Sequence, residues 1–153
     1  MVGNIFKMIG ASEKIIKMMK HKPVVNALGG ITLNEESVKG EIELKNVTFR
    51  YPTKQDVDVL KNVSFKVEQN KILALVGESG CGKSSVISLI ERFYEANEGQ
   101  IIFSGCDIKK LDPRWYKTQV SIVSQEPIMF SGTIRENICY GMDDIVITNE
   151  QLD

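Results

Sequence analysis

Between Glu41 and Phe49 the apolar residues Ile42, Leu44, Val47 and Phe49 are interleaved with polar ones, and Val63 to Val67 repeats the pattern. Such alternation puts one face on a core and the other in water, so both stretches predict half-buried antiparallel strands. Lys71 to Val76 departs from it. Its Ile72-Leu73-Ala74-Leu75-Val76 run is apolar throughout, the pattern of a strand buried on both faces of a parallel sheet. A glycine-rich loop and a helix over about Lys83 to Tyr94 follow at once, giving strand, loop and helix in order. Ile101 to Phe103 and Val120 to Val123 predict further short strands. Between them, Asp112 as N-cap with Pro113 at the first helical position predicts a helix start. Thr133 with Glu136 has the spacing of a capping box, and Thr148 with Gln151 repeats it just before Asp153, so the sequence is expected to stop inside a longer reading frame.

Ahead of the first strand, Ile5, Met8, Ile9, Ile15, Ile16, Met18 and Met19 recur at helical spacing with lysines between them, which predicts an amphipathic helix. An import presequence is rich in Arg and Ser, and this stretch holds no Arg and only Ser12, so a helical lead-in is the better reading. Pro23 and the Gly29-Gly30 pair mark a linker. The expected division is therefore a linker and lead-in helix over 1–39 and a globular part over 40–153.

Composition narrows the function. The 153 residues are 42% hydrophobic and 25% charged, the make-up of one ordinary globular domain. A net charge of -1 and a pI near 5.9 provide no basic field to collect nucleic acid. No apolar run approaches the roughly 18 to 20 residues needed to cross a bilayer, so no transmembrane segment is expected within the chain. Cys81, Cys106 and Cys139 lack a CxxC pairing and a neighbouring histidine, which argues against a disulfide framework or a zinc site and for a reducing compartment. The single histidine, His21, lies among lysines and is given no role.

The chemistry is carried by Gly77-Glu78-Ser79-Gly80-Cys81-Gly82-Lys83-Ser84, a complete match to G-x-x-x-x-G-K-[ST] between a predicted strand and a predicted helix. Glycines let successive backbone N–H groups turn inward around a phosphate, and the helix N-terminus adds partial positive charge. Lys83 suits the terminal phosphates, and the Ser84 hydroxyl suits magnesium. Ser85, the next helical residue, joins Gly77 to Ser84 in the expected cofactor-binding set. Thr53-Lys54-Gln55-Asp56 has the letters of a guanine-recognition motif but lies upstream of the loop, in a turn after Tyr51-Pro52, and is read as a decoy. Cys81, inside the loop at a helix N-terminus, is either a thiol of raised reactivity or a small residue filling space.

Beyond the loop, the residues from about Gly40 to Gly141 resemble the nucleotide-binding domain of ABC transporters, in particular the exporter subfamily of multidrug-resistance and antigen-peptide transporters. Phe49-Arg50-Tyr51-Pro52 fits the stretch whose aromatic ring stacks on adenine, with Tyr51 as the ring; the alternative is a plain strand-end aromatic. Val123-Ser124-Gln125-Glu126-Pro127-Ile128-Met129-Phe130 resembles the Q-loop, and Gln125 matches the glutamine that contacts magnesium and the attacking water. Ser131-Gly132-Thr133-Ile134-Arg135-Glu136-Asn137-Ile138 continues in exporter style, Leu111-Asp112-Pro113-Arg114-Trp115 is similar to half-transporters, and Gly10-Ala11-Ser12-Glu13-Lys14-Ile15 resembles the lead-in from the last membrane helix.

The resemblance implies an α/β fold: a P-loop NTPase core, a parallel sheet with flanking helices, joined to an antiparallel β subdomain and incomplete at the C-terminus, with the helical subdomain only begun. It implies ATP and magnesium as cofactors, Lys83 and Gln125 as catalytic residues, and Ser84 and Gln125 on the metal. Partners would be a second nucleotide-binding domain in a head-to-tail dimer and the transmembrane domains of the same transporter. Localisation would be at a membrane through that parent, facing cytosol or mitochondrial matrix. The Leu-Ser-Gly-Gly-Gln signature, an apolar run ending in Asp-Glu and the switch histidine are absent from the sequence and are expected beyond Asp153. Phosphoryl transfer needs those parts together, so the chain alone is expected to bind ATP without turnover. Two other readings stay open: a catalytically inactive nucleotide-binding fragment or regulatory protein, and a small P-loop kinase, for which the arginines Arg92, Arg114 and Arg135 are too scattered to make a lid.

Overall fold

A computed structural model describes residues 12–20, 25 and 29–141. The described residues fall into two compact units, one reaching to Ser121 and one beginning at Ile122. Ile5, Met8, Ile9, His21, Pro23 and the Thr148 with Gln151 capping signal lie outside the described residues, whereas 12–20 form helix α1 with Ile15, Ile16, Met18 and Met19 exposed.

The first unit is built on a four-stranded antiparallel sheet of β1 (Ile42–Phe49), β2 (Leu60–Val67), β3 (Glu98–Phe103) and β4 (Cys106–Asp107), in the order β2-β1-β3-β4. Leu44, Val47 and Phe49 of β1 are all buried although the first two lie three positions apart. Strict alternation would point Val47 away from the core. The register slips between Leu44 and Val47, and Asn46 takes φ 49°. This bulge absorbs the extra residue and restores the inward face. Ser64 holds it, accepting from Asn46 N at 2.8 Å and donating to Asn46 Oδ1 at 3.0 Å. Gly99 of β3 permits the close approach, because a Cβ there would collide with the carbonyl oxygens of Lys45 and Asn46.

Helix α2 (Lys83–Ile90) buries Val86 and Leu89, and α3 (Pro113–Gln119) buries Tyr116, in a core shared with Phe49, Ile101 and Phe103 of the sheet. The expected start of α3 is present: Asp112 Oδ1 accepts from Arg114 N at 2.9 Å and Trp115 N at 3.0 Å. Helix α2 ends four residues earlier than the pattern predicts. Arg92 turns to φ 59° and its guanidinium donates to Leu111 O at 2.9 Å and Lys109 O at 3.3 Å, so two tertiary hydrogen bonds decide the helix end over local propensity. The same turn receives the segment after the Gly29-Gly30 pair: Ile31 N donates to Lys110 O and Asp112 N to Ile31 O, at 2.9 and 2.8 Å.

Two expected strands do not form. Lys71 to Val76 and Val120 to Val123 carry no ladder, and Ile72 and Val123 are 99% and 97% exposed. An isolated extended segment gains no inter-strand hydrogen bonds, and among the described residues none pairs with either run. The antiparallel part of the expected α/β architecture is present, and among the described residues its parallel sheet is not. In the second unit, α4 (Ile134–Ile138) opens with the expected capping box, Thr133 Oγ1 accepting from Glu136 N and Glu136 Oε2 from Thr133 N. Those bonds hold the Glu136 carboxyl below its ordinary range. Asn137 closes the preceding loop by donating to Phe130 O at 3.1 Å and accepting from Phe130 N at 2.7 Å.

Candidate phosphate and base site

The loop from Gly77 to Gly82 is exposed except at Gly82, the residue before α2. Gly82 adopts φ 94°, and a Cβ on it would lie 2.7 Å from Leu60 Cδ2 and 3.0 Å from Val59 O. Only glycine fits that turn against β2. Lys83 folds over the loop and donates to Gly77 O at 2.8 Å, Glu78 O at 2.6 Å and Cys81 Sγ at 3.4 Å. Its ammonium thereby joins the start of the loop to the start of α2.

The first helical return bond of α2 runs from Val86 N to Gly82 O at 3.0 Å. The amides of Lys83, Ser84 and Ser85 precede it, which leaves them directed along the helix axis toward an incoming anion. Ser84 is exposed, and its carbonyl accepts from Ser88 Oγ at 3.0 Å. A glycine without room for Cβ at position 82, leading amides, an ammonium and an exposed hydroxyl together fit a phosphate chain with its metal. Among the described residues no group of three or more His, Cys, Asp or Glu side chains is placed to hold a metal alone, so a cation here would be shared with phosphate oxygens.

Tyr51 follows β1 and is half-buried. Its ring meets Phe49 at 4.9 Å and Tyr94 at 5.2 Å between centroids, both edge to face, and its hydroxyl lies 2.9 Å from Ser85 Oγ. Arg50 N donates to Asn97 Oδ1 at 2.7 Å, and the Arg50 guanidinium pairs with Asp58, fastening the loop on either side of the ring. Thus Tyr51, Lys83, Ser84 and Ser85 are tied into one structure. Gln125 lies in an exposed bend of the second unit. Sequence reasoning missed Tyr94 and the Tyr51 to Ser85 bond. A hydroxyl two residues past the loop lysine was the only available signal for the bond, and Tyr94 was hidden by a helix expected to run through it.

Comparison with known proteins gives a match to the family model described as ABC transporter over residues 60–153. The chain is 47% identical over 140 residues to ABC transporter B family member 1 of Dictyostelium discoideum, covering 92% of this chain and 15% of that protein. It is 43% identical over 158 aligned positions to Multidrug resistance protein 1 of Entamoeba histolytica, covering 99% of this chain and 12% of that protein. It is 38% identical over 143 residues to ATP-binding cassette sub-family B member 5 of Mus musculus, covering 94% of this chain and 11% of that protein. The chain thus spans about a tenth to a seventh of the length of these relatives.

Proposed function

Because the chain belongs to the ABC transporter family, we propose that it is the ATP-binding portion of an ATP-hydrolysing exporter that drives transmembrane transport. The observation that carries this reading is the Lys83 ammonium bonded across the Gly77 to Ser84 loop at the head of α2. The leading amides and Lys83 would hold the phosphates, Ser84 would share the magnesium with them, and Tyr51 would stack on adenine. Magnesium supplies charge neutralisation at the phosphates when bound. Gln125 is assigned to the metal and to communication with the membrane domain, on the resemblance of residues 123–130 to a Q-loop.

In this reading residues 1–39 lead in from the membrane domain and 40–153 form the first part of the ATP-binding domain. Lys71 to Val76 and Val120 to Val123 become parallel strands when their sheet neighbours are supplied; their apolar runs support this, since such runs suit strands buried on both faces. The partners are transmembrane domains and a second nucleotide-binding domain, and the site faces the cytosol or the mitochondrial matrix. Among the described residues no helix is long and apolar enough to cross a membrane, so the membrane link is assigned to the parent transporter.

The 153 residues contain neither the Leu-Ser-Gly-Gly-Gln signature nor an apolar run ending in Asp-Glu. The chain by itself is therefore a nucleotide binder without turnover. Photolabelling with an azido-adenine ATP analogue tests both halves of the reading. Labelling of the peptide around Tyr51, competed by ATP and accompanied by no steady phosphate release, is expected. Phosphate release abolished by Lys83→Ala would contradict the second half, and labelling indifferent to ATP would contradict the first.

A further inference from the structure

Ser85 is only 4% exposed, although it stands one residue after the exposed Ser84 in the first turn of α2. A side chain so enclosed has little access to an incoming phosphate, and its hydroxyl is already engaged 2.9 Å from Tyr51 Oη. We propose that Ser85 is a positioning residue that contributes a backbone N–H to the phosphates while its hydroxyl sets the Tyr51 ring for the base. This deepens the ATP-site reading and rests on it.

Three contacts determine the ring. Phe49 is 1% exposed and forms a fixed wall at 4.9 Å; Tyr94 abuts the ring nearly perpendicularly, at 89° and 5.2 Å. These two pack against the ring, and neither engages its hydroxyl end. The hydroxyl bond to Ser85 holds that end. Because Ser85 shares one helical turn with Lys83 and Ser84, the turn that holds the phosphates also fixes where the base platform stands. Pre-setting a contact in this way lowers the ordering cost of binding. Helix propensity argues the other way for a mere structural role, since alanine is the better helix former at this position.

The test compares ATP with inorganic triphosphate, each with magnesium, titrated into the full chain and into Tyr51→Ala, Tyr51→Phe, Ser85→Ala, Ser85→Thr and the Tyr51→Phe, Ser85→Ala double variant. Loss of one hydrogen bond predicts that Tyr51→Phe and Ser85→Ala each weaken ATP roughly fivefold, with triphosphate affinity unchanged. The double variant should be no weaker than either single one, since both remove the same bond. Ser85→Thr, which keeps a hydroxyl, should bind ATP like the unsubstituted chain. Equal weakening of ATP and triphosphate by Ser85→Ala would overturn the proposal in favour of a phosphate ligand. ATP binding unchanged in Ser85→Ala, with Tyr51→Ala weakened, would overturn it while leaving the adenine reading intact. If Tyr51→Ala binds ATP normally, or the unsubstituted chain binds neither ligand, the site reading fails and this inference fails with it.

Discussion

At Tyr51 the ring is held by two aromatic neighbours and a hydroxyl, so under the proposed adenine role its position is set before a base arrives. Base stacking on an aromatic side chain contributes about 1 to 3 kcal/mol, and Tyr51→Ala should weaken ATP by roughly tenfold to a hundredfold, measured by equilibrium titration. Cys81 is exposed, and its sulfur accepts from Lys83 Nζ at 3.4 Å. An adduct there would crowd the lysine, so alkylation should block nucleotide binding and ATP should slow alkylation; equal labelling rates with and without ATP would contradict this. A separate cluster lies at the C-terminal end of α2. Glu91 and Arg92 are buried beside Tyr116, whose hydroxyl donates to Ile90 O at 2.8 Å. Burial raises the Glu91 carboxyl above its ordinary range, opposed by Lys117, and burial raises the Tyr116 phenol as well. A carboxyl raised on folding stabilises the fold most below its unfolded pKa and loses that contribution as pH rises through the folded value. Glu91→Gln should therefore raise urea stability at neutral pH, and the gain should shrink as pH falls toward the carboxylate range. A gain that grows on acidification would contradict the assignment.

At the level of elements, caps and alternation carry different amounts of information. The Asp112 cap, Pro113 at the helix start and the Thr133 with Glu136 box were legible because each needs only residues within one helical turn. Asp112→Ala should cost about 1 kcal/mol by chemical denaturation, and its loss of helix should centre on α3; an unchanged midpoint would count against the cap. Strands β1 and β3 were legible from their apolar spacing, and so was β2 in part. The bulge was not. Nothing local marks Asn46 as the residue that absorbs the extra position between Leu44 and Val47, because the cause is the fit of Gly99 and Ser64 from two other strands. The end of α2 was unreadable for the same reason, being set by Arg92 reaching carbonyls at 109 and 111. In the site, the phosphate loop could be read as a contiguous motif, whereas the bond between Tyr51 and Ser85 joins residues 34 positions apart and leaves no mark on either neighbourhood.

For the molecule as a whole, the exposed run from Ile72 to Val76 matters most. Ile72 is 99% and Val76 91% exposed, and an unpaired apolar segment of this kind is a template for pairing with another chain. The isolated chain should associate as its concentration rises, and lysine at positions 72 and 76 (Ile72→Lys, Val76→Lys) should shift it toward monomer in size-exclusion chromatography. A monodisperse, cooperatively melting unsubstituted chain would contradict that expectation. The phosphate loop, in contrast, is fastened to parts that are formed: Gly82 against β2, Lys83 across the loop carbonyls, and Ser85 to Tyr51. Its function should therefore be present in the chain as it stands. Calorimetric titration of the chain with ATP and magnesium, beside Lys83→Ala, tests this most directly. The account predicts one binding site in the unsubstituted chain and none detectable in the variant; no binding by either, or equal binding by both, would contradict it.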